Sequence, residues 1–322
     1  VTSDKDISMN AEQHADASDN KRIGVLVQAC DGELEIGQEA LKSLIASLDT
    51  PHLFIQIMDD ASKGRVGDEL AAFCKSLGAD AACHRMDEPL GYRGIMIRCF
   101  KGLSLLAARE PKLDYAIKID TDTLFLGKAF GDFVKNQCVE PDGFWGVTHK
   151  LRKRDLLLLL SDLFPFGWRR KKENGLIQRK WSFSRLLPVW WTDIGYKAVL
   201  KDRQFTTIIT GGVYVIAGPL LQRFKELGYW DRDVTKRYGF ITSEEDTMLS
   251  LMTRAIGGKV IDANEVRPNF GEMRLKPGTP AQDILDADYM VIHPLKPNPY
   301  SESLREELKQ LLENEPAAIE RA

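Results

Sequence analysis

Apolar and polar positions change rhythm several times along the chain. Ile23-Gly24-Val25-Leu26-Val27-Gln28-Ala29 is a short run rich in β-branched residues, suited to a strand covered on both faces. Over 35–48 the spacing turns helical, with Leu41, Leu44, Ile45 and Leu48 on one stripe. Leu53-Phe54-Ile55-Gln56-Ile57-Met58 predicts a second strand, stopped by Asp59-Asp60-Ala61-Ser62. Helical patterns follow over 67–77, with Leu70, Phe73, Cys74 and Leu77 inward, and over 94–108. Tyr115-Ala116-Ile117-Lys118-Ile119 predicts a further strand that ends in Asp120-Thr121-Asp122. This alternation of strand and helix predicts an α/β fold with a mostly parallel, doubly wound sheet.

The second half has a different texture. Strands are expected at 143–149 and 208–217, helices at 219–227 and 244–256, and short strands near 259–262 and 289–293. A last helix, 301–314, puts Leu304, Leu308, Leu311 and Leu312 on one side. Between these lies 150–200, rich in Trp, Arg, Lys and Leu, which is expected to form a helical basic/aromatic insert. Segment 1–20 is polar and without periodicity, as in a flexible tail or a processing remnant.

Composition narrows the function classes. Of 322 residues, 43% are hydrophobic and 28% charged, the profile of a soluble globular protein. The formal net charge of -3 gives no global pull toward nucleic acid or acidic lipid, so no nucleic-acid partner is expected. Five cysteines (Cys30, Cys74, Cys83, Cys99, Cys138) form no CxxC pair, which argues against a disulfide framework or a zinc site. A reduced, cytoplasmic setting is expected. No run reaches membrane-spanning length, and no apolar signal core opens the chain.

Candidate chemistry gathers where strands end, since ligands of parallel sheets sit at the carboxyl ends. Asp31, Asp59/Asp60 and Asp120/Asp122 all fall there. Asp120 and Asp122 are two apart and share a face in extended chain. Paired carboxylates suit a hard cation such as Mn²⁺ or Mg²⁺, which can neutralise a departing diphosphate. A turn with water-facing acids would use the same residues, but the apolar stretch that follows, Thr123 to Gly127, favours the metal. Gly91 to Lys101 opens a helix with Arg93 and Arg98 in reach of a phosphate or base. Gly211-Gly212 interrupts an apolar strand, which implies close backbone approach to a ligand, or a bulge. Glu244, Glu245 and Asp246 open a helix; the helix dipole, with Ser243 as N-cap, accounts for part of that cluster. His293 ends another strand and suits Mn²⁺ as a third ligand, with Lys296 three residues on for a phosphate.

Taken in order, these motifs resemble GT-A fold glycosyltransferases. Ile117 to Thr123 resembles their strand-plus-acidic DxD motif, Val27 to Asp31 their first strand, and Met58 to Ser62 the turn after the second. Thr210 to Ile216 resembles the Gly-Gly strand of β-1,3-galactosyltransferase-like and Fringe-like members, Glu244 to Thr247 their late acidic motif, and His293 to Lys296 the His and Lys that touch metal and diphosphate. The ordered match covers roughly 22–300.

The resemblance implies a GT-A type, Rossmann-like sheet flanked by helices, and a metal-dependent glycosyltransferase with a UDP-sugar donor. It implies Asp120, Asp122 and His293 as ligands of Mn²⁺ or Mg²⁺. Gln28, Asp31, Asp60, Arg93, Arg98, Asp120, Thr121, Gly211, Gly212 and Lys296 would line the donor site. Asp246 would be the catalytic base, with Glu245 as runner-up, in an inverting transfer to a hydroxyl of a glycan or glycolipid, as in polysaccharide biosynthesis. Residues 21–128 would bind the nucleotide-sugar and 129–300 the acceptor, with 301–322 as a C-terminal helix.

Retaining transfer stays open, because the His-Pro-Leu-Lys ending also resembles glycogenin-like enzymes. A sugar-phosphate nucleotidyltransferase would need a Gly-rich basic loop that 31–35 does not supply, and a non-catalytic glycan-binding protein would not need the intact acidic sets. Within 150–191, cations alternate with aromatics. That mixture suits an anionic membrane surface at the inner face of a membrane, a stacking platform for sugars, or a helical lid.

Overall fold

The computed structural model describes residues 20–150, 166–173, 176–183, 189–202, 206–232, 245–272, 278–296 and 298–314. The expected tail at 1–20 therefore lies outside the described residues except for Asn20.

The first half is a run of β/α units: β1 (Ile23–Ala29), α1 (Leu34–Leu48), β2 (Leu53–Asp59), α2 (Val66–Ser76), β3 (Asp80–Arg85), α3 (Ile95–Arg109) and β4 (Tyr115–Asp120). β1 and β2 are buried at every position, as expected of strands covered by helices on both faces. β5 (Leu124–Phe125), the short helix α4 (Ala129–Asp132) and β6 (Gly143–Lys150) follow. Next come β7 (Phe166–Glu173), β8 (Leu176–Phe183), α5 (Val189–Lys201), β9 (Thr207–Ala217), α6 (Gly218–Glu226) and α7 (Glu245–Ala255). The chain continues through β10 (Lys259–Asp262), α8 (Ala263–Val266), β11 (Gly271–Glu272), α9 (Ala281–Asp286), β12 (Val291–Ile292) and α10 (Pro299–Asn314).

The fold class is the expected one: a mixed α/β architecture with a mostly parallel central sheet flanked by helices. Seven strands stand in the order β10-β6-β9-β4-β1-β2-β3. All neighbours are parallel except β9, which runs antiparallel to both β4 and β6. The register is flush, with Gln28 level with Met58 and Asp120, so β1, β2 and β4 end at one edge. β9 carries residues of the second half into the middle of this sheet. The expected halves 21–128 and 129–300 thus share one core, running from Ile23 to Val291.

A second, small sheet, β11-β12-β5, positions the site. β12 is antiparallel to β5, with Ile292 opposite Leu124. Since β5 begins two residues after Asp122, the chain leaving β12 returns beside the Asp120–Asp122 turn. Leu295 N donates to Asp122 O at 2.8 Å, and Arg305 of α10 donates to Leu295 O at 2.8 Å.

One strand was missed and one expectation needs correction. The strand pattern at 80–85 escaped notice because β3 is a sheet edge with mixed exposure, so its apolar signal is weak. The insert expected to be helical instead holds an antiparallel ribbon, β7–β8, with Trp168 opposite Trp181 and Arg170 opposite Arg179, before α5 begins. Asn174-Gly175 between the two runs is a hairpin signal in the sequence. The remainder of that insert, including 151–165, lies outside the described residues.

Where α4 crosses α1, Gly131 has no room for a side chain: a Cβ there would stand 2.0 Å from the Ser47 carbonyl oxygen. Gly131→Ala is expected to lower unfolding free energy by about 1–3 kcal/mol, as overpacking against backbone does. Urea denaturation with an unchanged m-value checks it.

Candidate metal centre and its surroundings

Asp120 is the last residue of β4, and Asp122 follows one turn residue later. Both carboxylates meet the same imidazole: His293 Nε2 lies 3.2 Å from Asp120 Oδ2 and 3.1 Å from Asp122 Oδ1. One ligand atom from each residue falls within 4.8 Å of the others, the sole such group among the described residues. The i, i+2 geometry expected of Asp120 and Asp122 is therefore present, and the β12 turn supplies the third member. Two carboxylate oxygens and one imidazole nitrogen suit a hard or borderline divalent cation, and the imidazole favours Mn²⁺ over Mg²⁺.

Gly211 and Gly212 line the other wall. β9 pairs Val213 with Ile119, which sets the two glycines beside the end of β4. A Cβ on Gly212 would lie 2.2 Å from His293 Nδ1, and one on Gly211 would lie 2.8 Å from Asp246 Oδ2. The close approach predicted by the glycines is real: the His293 imidazole and the Asp246 carboxylate stand where their side chains would be. Glu245 and Asp246 open α7 and are both buried. Glu244 and Ser243 lie outside the described residues.

Sequence reasoning passed over Lys118. It sits in the middle of β4, 1% exposed, with Nζ 2.7 Å from Asp120 Oδ1 and 3.1 Å from Glu245 Oε1. The same ammonium donates to the Gly211 carbonyl. A lysine inside Ile117-Lys118-Ile119, an apolar run buried at every position, was the available signal: a buried charge requires partners. Burial alone would lower the Lys118 pKa, but Asp120 and Glu245 outweigh it and raise it. Burial raises the Asp120 carboxyl, yet the Lys118 ammonium and the His293 contact hold it below the usual range. The Glu245 carboxyl is raised, chiefly by burial, with Lys118 opposing.

The next strand ends carry a second cluster. Asp60 accepts from Leu90 N and Gly91 N, both at 2.8 Å, and pairs with Arg98 at 2.7 Å. Arg98 Nε also donates to Gln28 Oε1 at 3.2 Å, while Gln28 Nε2 is buried with no hydrogen-bond partner among the described residues. Asp60 and Arg98, both expected to face a ligand, are thus largely engaged with each other and with the 90–91 backbone. Asp59 is wholly structural, capping the Ser62 and Gly67 amides ahead of and inside α2. Asp31 is exposed and accepts from Lys63 N at 2.7 Å.

Thr121, expected in the donor set, is 3% exposed. It hydrogen-bonds Glu33 and approaches Gly37 of α1. Glu33, a second residue not singled out from sequence, accepts from Cys30 N at 2.9 Å, and burial raises its carboxyl. Lys296 is exposed, and the Arg93 side chain lies outside the described residues.

No protein-family model matches the chain, and no curated protein matches it in sequence. Solved structures do match, among them mannosyltransferase PcManGT from Pyrobaculum calidifontis in complex with GDP-Man and Mn²⁺, at TM-score 0.45 and 12% identity. The match covers 87% of this chain and 59% of that chain, so this chain spans about three-fifths of the neighbour's length. A likeness this distant carries no argument about donor, metal or acceptor. No helix among the described residues is long and apolar enough to cross a membrane.

His293 gives a pH signature. Burial would depress it, but its hydrogen bonds to Asp120 and Asp122 and their charges raise its pKa to about 9, from an ordinary 6.5. The native state then holds a proton that the unfolded chain has lost between those values. The stabilisation is full below pH 6.5 and disappears as pH rises through 9. Metal-free protein is expected to lose thermal stability across that window, and His293→Gln to flatten the slope. Gly212→Ala, which drives a methyl into the imidazole, is expected to weaken Mn²⁺ binding while leaving the far-ultraviolet dichroism unchanged.

Proposed function

We propose that this chain is a metal-dependent glycosyltransferase of GT-A type, moving a sugar from a nucleotide donor to an acceptor hydroxyl. The observation that carries this reading is the Asp120–Asp122–His293 set at the carboxyl edge of a parallel sheet, with two acids of α7 on its far side. Asp120, Asp122 and His293 hold Mn²⁺, or less favourably Mg²⁺. When bound, the cation supplies charge to neutralise the diphosphate as it leaves. The donor is taken to be UDP-linked, on the strength of the motif resemblance.

Gln28, Asp31, Asp60, Arg93, Arg98 and Thr121 make the nucleotide side. Gln28 Nε2, without a partner among the described residues, supports this, since a buried donor without an acceptor is costly unless a ligand supplies one. Asp60 acts mainly by fixing the 90–91 backbone and Arg98, with one lone pair of Oδ2 left for a ribose or base. Lys296 meets the diphosphate, and the Gly211-Gly212 strand floors the sugar site. Asp246 takes the proton from the acceptor hydroxyl as its oxygen attacks the anomeric carbon, which inverts the configuration. Glu245 is held by Lys118 and is not the base.

The acceptor is a glycan or glycolipid, and the basic ribbon β7–β8 supports an anionic membrane surface as its setting. Along the ribbon the sequence carries Arg169, Arg170, Lys171, Lys172, Arg179 and Lys180, a run of cations that suits anionic lipid.

A screen of UDP- and GDP-linked sugars with Mn²⁺ tests the reading. Metal-dependent transfer or hydrolysis with a UDP-sugar is expected; none with any donor contradicts it, and a retained anomeric configuration overturns the inverting step. Asp246→Asn is expected to lower kcat about 10²–10⁴-fold, as loss of a general base does, with Mn²⁺-dependent UDP binding intact in calorimetry. Co-sedimentation with phosphatidylserine vesicles but not with neutral ones is expected; equal recovery with both ends the membrane assignment.

A further inference from the structure

Lys118 belongs neither to the ligand set nor to the reacting atoms, yet it touches both sides of the site. Its ammonium has three donors, and three acceptors take them: Asp120 Oδ1, Glu245 Oε1 and the Gly211 carbonyl. These belong to β4, α7 and β9, so one cation ties three elements together. Tyr214 closes the remaining side, with its ring centroid 5.5 Å from Nζ and its hydroxyl engaged by Cys99 Sγ at 3.2 Å. The ammonium is walled in and has one place to stand.

The consequence lies in which oxygen of Asp120 faces where. Oδ1 is held by Lys118, and Oδ2 is the atom 3.2 Å from His293 Nε2. We propose that Lys118 is a positioning residue: by holding Asp120 Oδ1 and Glu245 Oε1 against the β9 backbone, it presents Asp120 Oδ2 to the cation and keeps Glu245 out of the proton transfer. This rests on the metal-dependent reading above. A second lysine role, simple charge balance for buried Glu245 and half-buried Asp120, makes a different prediction, and the two can be separated.

The test uses the full chain and Mn²⁺ alone as probe, in calorimetry, alongside thermal denaturation. Lys118→Met keeps the stem and removes the ammonium, but it strands buried Glu245 beside half-buried Asp120 and can fail to fold. The charge-balanced double variant, Lys118→Met with Glu245→Gln, removes one acid together with the cation and is the deciding protein. If Lys118 positions Asp120, the double variant regains thermal stability but binds Mn²⁺ about 10- to 100-fold more weakly, the usual cost of losing a group that orients a ligand. With a donor in hand, kcat falls while the acceptor KM stays. Lys118→Arg does not rescue, because a planar guanidinium cannot serve three acceptors arranged about one nitrogen. A double variant that binds Mn²⁺ as tightly as wild type overturns the proposal and leaves the metal site standing. Wild-type protein that takes up no Mn²⁺ overturns both.

Discussion

Burying carboxylates side by side is costly unless positive charge stands between them, and the edge of this sheet is organised around that constraint. Asp120, Asp122, Glu245 and Asp246 crowd the end of β4 and the start of α7. Lys118 holds Asp120 and Glu245 from inside the sheet, and His293 bridges Asp120 and Asp122 on the open side. In the metal-free state the imidazole keeps its proton because the carboxylates are beside it. A divalent cation can take over that charge, since the three ligand atoms lie within 4.8 Å of one another. The glycines of β9 belong to the same arrangement, since any side chain at 211 or 212 would enter the space of Asp246 or His293.

The topology explains how distant parts of the chain come together. The parallel strands place three loops at one edge, and the single antiparallel strand β9 brings the glycines and, through α7, the late acids to the same edge. The small β5–β12 pairing then returns His293 to the acidic turn, where the Leu295–Asp122 and Arg305–Leu295 hydrogen bonds fix its loop. Arg305 also pairs with Glu39 of α1, so the C-terminal helix braces the third ligand against the first half of the chain.

Much of this was legible in the sequence, for identifiable reasons. β1, β2, β4 and β9 are near-continuous apolar runs that no other element explains, and Asp120-Thr121-Asp122 announces itself by following one of them. His293 was legible only beside Lys296 and by resemblance, since no spacing rule brings it to Asp122. Lys118 was hidden because a lysine within an apolar run reads as an interruption rather than as the centre of a charge network. Asp60 and Arg98 were expected to point at a ligand; that they also hold each other depends on the 90–91 backbone, which no local pattern encodes. The hairpin in the insert was missed because its cations and aromatics were weighed as composition, and the Asn-Gly turn signal was not.

The central claim is that Asp120, Asp122 and His293 share one divalent cation. Pulsed electron paramagnetic resonance on Mn²⁺ added to the full chain tests it most directly. The account predicts one Mn²⁺ per chain, with nitrogen coupling from a single imidazole that vanishes in His293→Gln. Bound Mn²⁺ without nitrogen coupling, or coupling that survives that substitution, would contradict it.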